Sequence, residues 1–127
     1  MKKKFTILIA DRNKNVRDFL RREFSAEGYE IITARDGNEV LLEIGRDTPP
    51  DLIILDLEIP DADNSEILQR AQTRNPPLPV VIHTFLTEEA ERDSQSETKI
   101  YIEKSGNVDH LKSAVADMLH RFNPGPA

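Results

Sequence analysis

The stretch "PPDLIILDLEIPD" (49–61) decides how the rest of the chain is read. Leu52 to Leu57 read as one buried strand, yet Asp56 sits within this otherwise apolar run. A carboxylate there is costly to desolvate unless something nearby requires it. The run therefore raises two questions: what Asp56 faces, and which other residues meet it.

Four further apolar runs accompany it: "FTILIA" (5–10), "YEIITA" (29–34), "VVIHTF" (80–85) and "KIYIE" (99–103). Most are rich in Ile and Val without clean alternation, as expected of strands covered on both faces. Helical patterns lie between them. Val16, Phe19, Leu20 and Phe24 recur at helix spacing, with Gly28 where that helix would stop. Val40, Leu41 and Ile44 form a shorter stripe entered through "RDGN" (35–38), and Ile67, Leu68 and Ala71 a third that ends before Pro76 and Pro77. Leu111, Val115, Leu119 and Phe122 form the last, closed by "NPGPA". The fourth connection, "FLTEEAERDSQSET" (85–98), has only Ala90 as an apolar residue after Leu86, so any helix there is expected to be short, frayed or completed by a partner. Its acidic run, Glu88 to Glu97, reads as a solvated face.

This alternation predicts an α/β fold: a three-layer α/β/α domain around a five-stranded parallel sheet. A chain of 127 residues suits one domain over 1–127, with its core over 5–122 and a flexible tail at 123–127. The net charge of −6 argues against nucleic acid or an anionic membrane as the main partner. The absence of Cys excludes disulfides, zinc–thiolate sites and thiol catalysis. The run Phe5 to Ala10, ended by Asp11, is too short for a signal segment or a membrane span, so a cytoplasmic protein is expected.

In open parallel sheets the site lies beyond the carboxyl ends of the strands, so the polar residues ending each run matter most. Asp11 follows the first, Asp56 closes the third, Thr84 nearly ends the fourth and Lys104 follows the fifth. Converging on one rim, two acids, a hydroxyl and an amine would suit a cation and a phosphoryl group. Clustered carboxylates repel unless a divalent ion offsets them, and oxygen ligands favour Mg²⁺. Each residue also has a plainer reading: Asp11 as a helix cap, Thr84 as a β-branched strand residue, Lys104 as a solvated lysine. His83 lies inside a strand without ligand spacing and reads as a hydrogen-bonded strand histidine. His110 and His120 read as helix-surface residues.

From Thr6 to Phe122 the sequence resembles the response-regulator receiver domain of two-component signalling. "ILIADRNKNVRDFL" (7–20), "ARDGNEVL" (34–41), "PDLIILDLEIPDADNSEIL" (50–68), "PVVIHTF" (79–85) and "YIEKS" (101–105) carry that resemblance, in order and at compatible spacing. It implies a flavodoxin-like sheet of order 2-1-3-4-5. It further implies that Asp56 accepts a phosphoryl group from a sensor histidine kinase or phosphotransfer protein. Mg²⁺ would be held by Asp11, Asp56 and the backbone carbonyl of Glu58. Lys104 would pair with phosphoryl oxygens, Thr84 would swing toward them, and Tyr101 would act as an aromatic switch reshaping a surface for a downstream protein partner. A non-enzymatic module is implied, with no direct contact to nucleic acid or membrane, monomeric or weakly dimeric. With no output domain in the sequence, it reads as a stand-alone regulator or an excised domain.

Departures from the family pattern qualify this. Arg12 stands where the second acid of a pair is usual, which weakens Mg²⁺ binding. Either the Glu58 carboxylate compensates at the metal, or Arg12 pairs with Asp56 or Glu58 and takes the cation's place. The second is preferred because arginine stays charged and suits carboxylates. Phe85 replaces a small residue and would narrow access to Asp56, and Ser105 replaces a common Pro. These departures support an alternative, a pseudo-receiver that docks partners without phosphorylation. A remoter one is an Mg²⁺-dependent phosphohydrolase with Asp56 as nucleophile, for which the chain has no room for a cap.

Overall fold

The computed structural model describes residues 4–85, 98–104 and 107–123. The chain alternates as β1 (Thr6–Ala10), α1 (Lys14–Ala26), β2 (Glu30–Ala34), α2 (Gly37–Ile44), β3 (Leu52–Leu55), α3 (Asn64–Thr73), β4 (Val80–Thr84), β5 (Lys99–Glu103) and α4 (Val108–Phe122). All five strands are parallel in the order β2-β1-β3-β4-β5. The expected sheet order is the one observed. The expectations about a helix at 86–97, about Ser105, and about the tail after Asn123 lie outside the described residues.

Alternation along the strands sends neighbouring side chains to opposite faces and so builds two cores. Leu8, Ile53, Leu55 and Ile82 pack with Val40 and Ile44 of α2 and Ile67 and Ala71 of α3. Ile7, Ile9, Ile54 and Val81 pack with Leu20 and Phe24 of α1 and with Leu111, Val115 and Leu119 of α4. Because both faces are covered, the central strands carry no polar side: Leu52 to Leu55 are all buried.

Each helix among the described residues starts on an Asn or Asp whose side chain takes a first-turn N–H: Asn13, Asp36, Asp63 and Asn107. Helix α1 stops where the periodicity indicated, with Gly28 at φ 96° and its N–H on the Ser25 carbonyl. The third run is shorter than its hydrophobicity suggested. Strand β3 ends at Leu55, and Asp56 is the first residue beyond it, where the Ile59 N–H turns back onto the Asp56 carbonyl at 3.2 Å. Phe85 likewise falls just outside β4. The carboxylate thus lies at the tip of the strand, not within it. Among the described residues, no helix is long and apolar enough to cross a membrane.

Candidate functional site

Two loop-borne acids and one amine meet at the carboxyl end of the sheet. Asp56 follows β3, and its N–H donates to the Ala10 carbonyl at 2.9 Å, which extends the β1–β3 ladder by one bond. Asp11 follows β1, with its N–H on the Ala34 carbonyl at 3.1 Å. Both side chains are about 2% exposed. Lys104 follows β5, its N–H donating to the Thr84 carbonyl at 2.8 Å, and this bond directs its side chain back across the rim. The Lys104 ammonium lies 3.0 Å from Asp11 Oδ2 and 3.3 Å from Asp56 Oδ1. One cation therefore bridges two buried carboxylates, which satisfies charges that burial alone would make prohibitive. Thr84, buried at the end of β4, pairs in register with Glu103.

Backbone donors complete the pocket. Asp56 Oδ1 accepts the Glu58 N–H at 3.0 Å and Oδ2 the Arg12 N–H at 3.2 Å, while Asp11 Oδ1 accepts the Asn13 N–H at 2.9 Å. Arg12 faces outward over these groups. Its Nη2 lies 2.6 Å from Glu58 Oε2 and its Nε 3.9 Å from Asp56 Oδ2. The guanidinium thus links the loop after β3 to the loop after β1.

The sequence leads to the expectation of Mg²⁺ at this rim. Asp11 and Asp56 share an ammonium, and Glu58 points to a guanidinium instead of toward them. Among the described residues, no three His, Cys, Asp or Glu side chains are grouped closely enough to hold a metal ion. A divalent ion entering here would meet two resident cations at close range, and like charges repel strongly in a partly dry site. As arranged, these residues do not fit the metal.

The remaining expected residues make their contacts apart from the carboxylates. The Phe85 ring is more than half exposed, and its centroid lies 5.9 Å from the Lys104 ammonium. It lines a pocket of about 290 Å³ with Phe19, Leu20, His83, Lys104 and Leu111, on the α1 and α4 side of the rim. Tyr101 is partly buried on the opposite face against the α2–α3 core, with the Lys99 ammonium 5.7 Å from its ring centre. His83 departs from expectation: its Nδ1 is buried without a hydrogen-bond partner among the described residues. Burial, reinforced by the Lys104 charge and partly opposed by Asp56, lowers its pKa to about 4, so the ring is neutral near pH 7.

Three supporting residues escaped the sequence reading. Asn13 both caps α1 and donates to Asp11. Arg17 Nη1 donates to the Asp11 carbonyl at 2.7 Å, a side-chain to backbone bond that residue types alone do not mark. Asn64 Nδ2 donates to the Leu57 carbonyl at 2.7 Å and ties down the loop carrying Glu58. In the sequence, Asn64 is indistinguishable from a helix cap.

A model of the response regulator receiver domain matches residues 7–116. Response regulator MprA of Mycobacterium leprae is 30% identical over 123 residues, which cover 95% of this chain and 54% of that protein. MprA of Mycolicibacterium vanbaalenii is 30% identical over 120 residues, covering 93% and 52%. The chain spans about half the length of the curated relatives it matches. Response regulator protein TrrA from Thermotoga maritima, solved in complex with Mg²⁺-BeF, is similar with a TM-score of 0.76 and 31% identity, covering 90% of this chain and 98% of that one. A CheY-like receiver domain from Methanospirillum hungatei shares the fold with a TM-score of 0.83 at 24% identity, covering 98% and 100%. A family match over most of the chain, on a sheet of this order, makes the protein a member of the response regulator receiver domains of two-component signalling.

Proposed function

We propose that this receiver domain takes a phosphoryl group on Asp56 from a phosphohistidine donor protein and passes the signal on by protein contact, in the cytoplasm and without substrate turnover of its own. The single observation that carries the reading is the Lys104 ammonium bridging Asp11 and Asp56 at the rim. In the transfer, an Asp56 carboxylate oxygen attacks phosphorus, and the donor's P–N bond breaks as the new P–O bond forms. The imidazole leaves with the electron pair and retains or gains a proton according to pH. Such transfers depend mainly on positioning and on charge already in place. Lys104 would supply positive charge to the phosphoryl oxygens, and the Thr84 hydroxyl a hydrogen bond. Tyr101, partly buried beside β4, is the candidate switch that follows Thr84.

Incubation with a small phosphodonor, followed by intact mass, tests this. The expected outcome is the gain of one phosphoryl group, abolished by Asp56→Asn. Two observations favour a second reading as a phosphorylation-independent docking module: the Arg12–Glu58 pair and the Phe85 ring beside Lys104. On that reading no gain occurs under forcing conditions, and Asp56→Ala binds the partner as the wild type does.

A further inference from the structure

We infer that the Arg12 guanidinium is the resident counter-cation of this rim, excluding a divalent ion and serving the Asp56 chemistry in its place. The second half rests on Asp56 being the phosphoacceptor; the exclusion of metal does not.

Arg12 is held at both ends. Its backbone N–H is bonded to Asp56 Oδ2, which fixes where the side chain begins, and its Nη2 is bonded to Glu58. Between these anchors Nε lies 3.9 Å from the same Asp56 oxygen. The guanidinium is therefore stationed over the outer edge of the acceptor carboxylate, while Lys104 occupies the inner edge at Oδ1. Asp11, Asp56 and Glu58 face Arg12 and Lys104, so three carboxylates meet two cations. A divalent ion would turn this small negative excess into a positive one. With an acid at position 12, four carboxylates would face a single ammonium, and a divalent ion would be strongly favoured.

The Arg12–Glu58 contact is well suited to exchange. Both side chains are about half exposed, and ion pairs of that kind are weak. A phosphoryl group on Asp56 adds charge and several acceptor oxygens beside Nε, and a planar guanidinium engages such oxygens in pairs. Arg12 then transfers from Glu58 to the phosphoryl group, doing with a fixed side chain what a bound ion would do. With acetyl phosphate as donor the step balances simply. The P–O bond to the acetyl oxygen breaks, the bond to Asp56 forms, acetate leaves with the electron pair, and nothing is oxidised or reduced.

The test has two arms. Calorimetric titration with Mg²⁺ alone is expected to give no saturable binding for the wild type or Glu58→Gln. Arg12→Asp is expected to bind at least about a hundredfold more tightly, and the neutral Arg12→Asn serves as a second variant should Arg12→Asp fold poorly. Wild-type affinity equal to that of these variants overturns the inference. In the second arm, acetyl phosphate is supplied with Mg²⁺ or with EDTA, and phosphoryl gain is followed by intact mass. The wild type should react at rates within about threefold of each other in the two conditions, whereas Arg12→Asp should require the metal. A wild type that reacts only with Mg²⁺ overturns the inference. A wild type that reacts in neither condition defeats the acceptor reading of Asp56, and the titration then decides the exclusion of metal alone.

Discussion

Lys104 is the residue on which the rim's charge balance turns. Two carboxylates about 2% exposed share its ammonium at 3.0 and 3.3 Å, so its removal leaves both buried and facing each other. Lys104→Met should cost about 3 kcal/mol in urea unfolding near neutral pH, the penalty for an uncompensated buried charge. Unfolding free energy unchanged from the wild type would show that the ammonium is not what offsets the two buried carboxylates. His83 supplies a second residue-level prediction. Its pKa falls from 6.5 to about 4 on folding because the ring is buried, so between these values the unfolded chain binds a proton that the folded chain does not. Stability therefore rises with pH through this window, and below it His83 costs on the order of 3 kcal/mol relative to neutral pH. His83→Val should gain on the wild type as pH falls from 6.5 to 4. Parallel stability curves for the two proteins would contradict the assignment.

At the scale of elements, the loop from Leu57 to Asp63 positions Glu58, and α2 holds that loop. The Gly37 N–H donates to the Pro60 carbonyl at 2.8 Å, and a Cβ on Gly37 would collide with the Asp61 carbonyl oxygen and with Ala62. Asp61 itself has φ 53°, a conformation Asp tolerates better than most residues. Gly37→Ala should destabilise by about 2 kcal/mol through overpacking, and the loop's amide signals in NMR should shift with it; unchanged stability and spectra would show the approach to be loose. These contacts also mark how far sequence reading reaches. The strand tips were legible because buried parallel strands are continuous apolar runs, and Asp11, Asp56 and Lys104 stand out where those runs stop. The end of β3 was overshot because Leu57 continues the hydrophobic pattern after the backbone has already turned onto Asp56. Arg17 and Asn64 went unread because their bonds go to backbone carbonyls, which leave no pattern in residue spacing.

For the whole molecule, two cores pack on either face of one sheet and set where the strand tips lie. Asp11, Asp56 and Lys104 each follow the end of a different strand and Thr84 ends a fourth, so no local segment could gather them. A receiver domain only 24% identical to this chain shares its fold, so the scaffold alone does not dictate what happens at the rim. The charges at the rim do, and here a guanidinium lies among them. The most direct measurement is to treat the protein with a phosphodonor, reduce it with borohydride, and map the trapped acyl phosphate by peptide mass spectrometry. Homoserine is expected at position 56 and at no other acid. Label confined to another residue, or none with the donor in large excess, would contradict it.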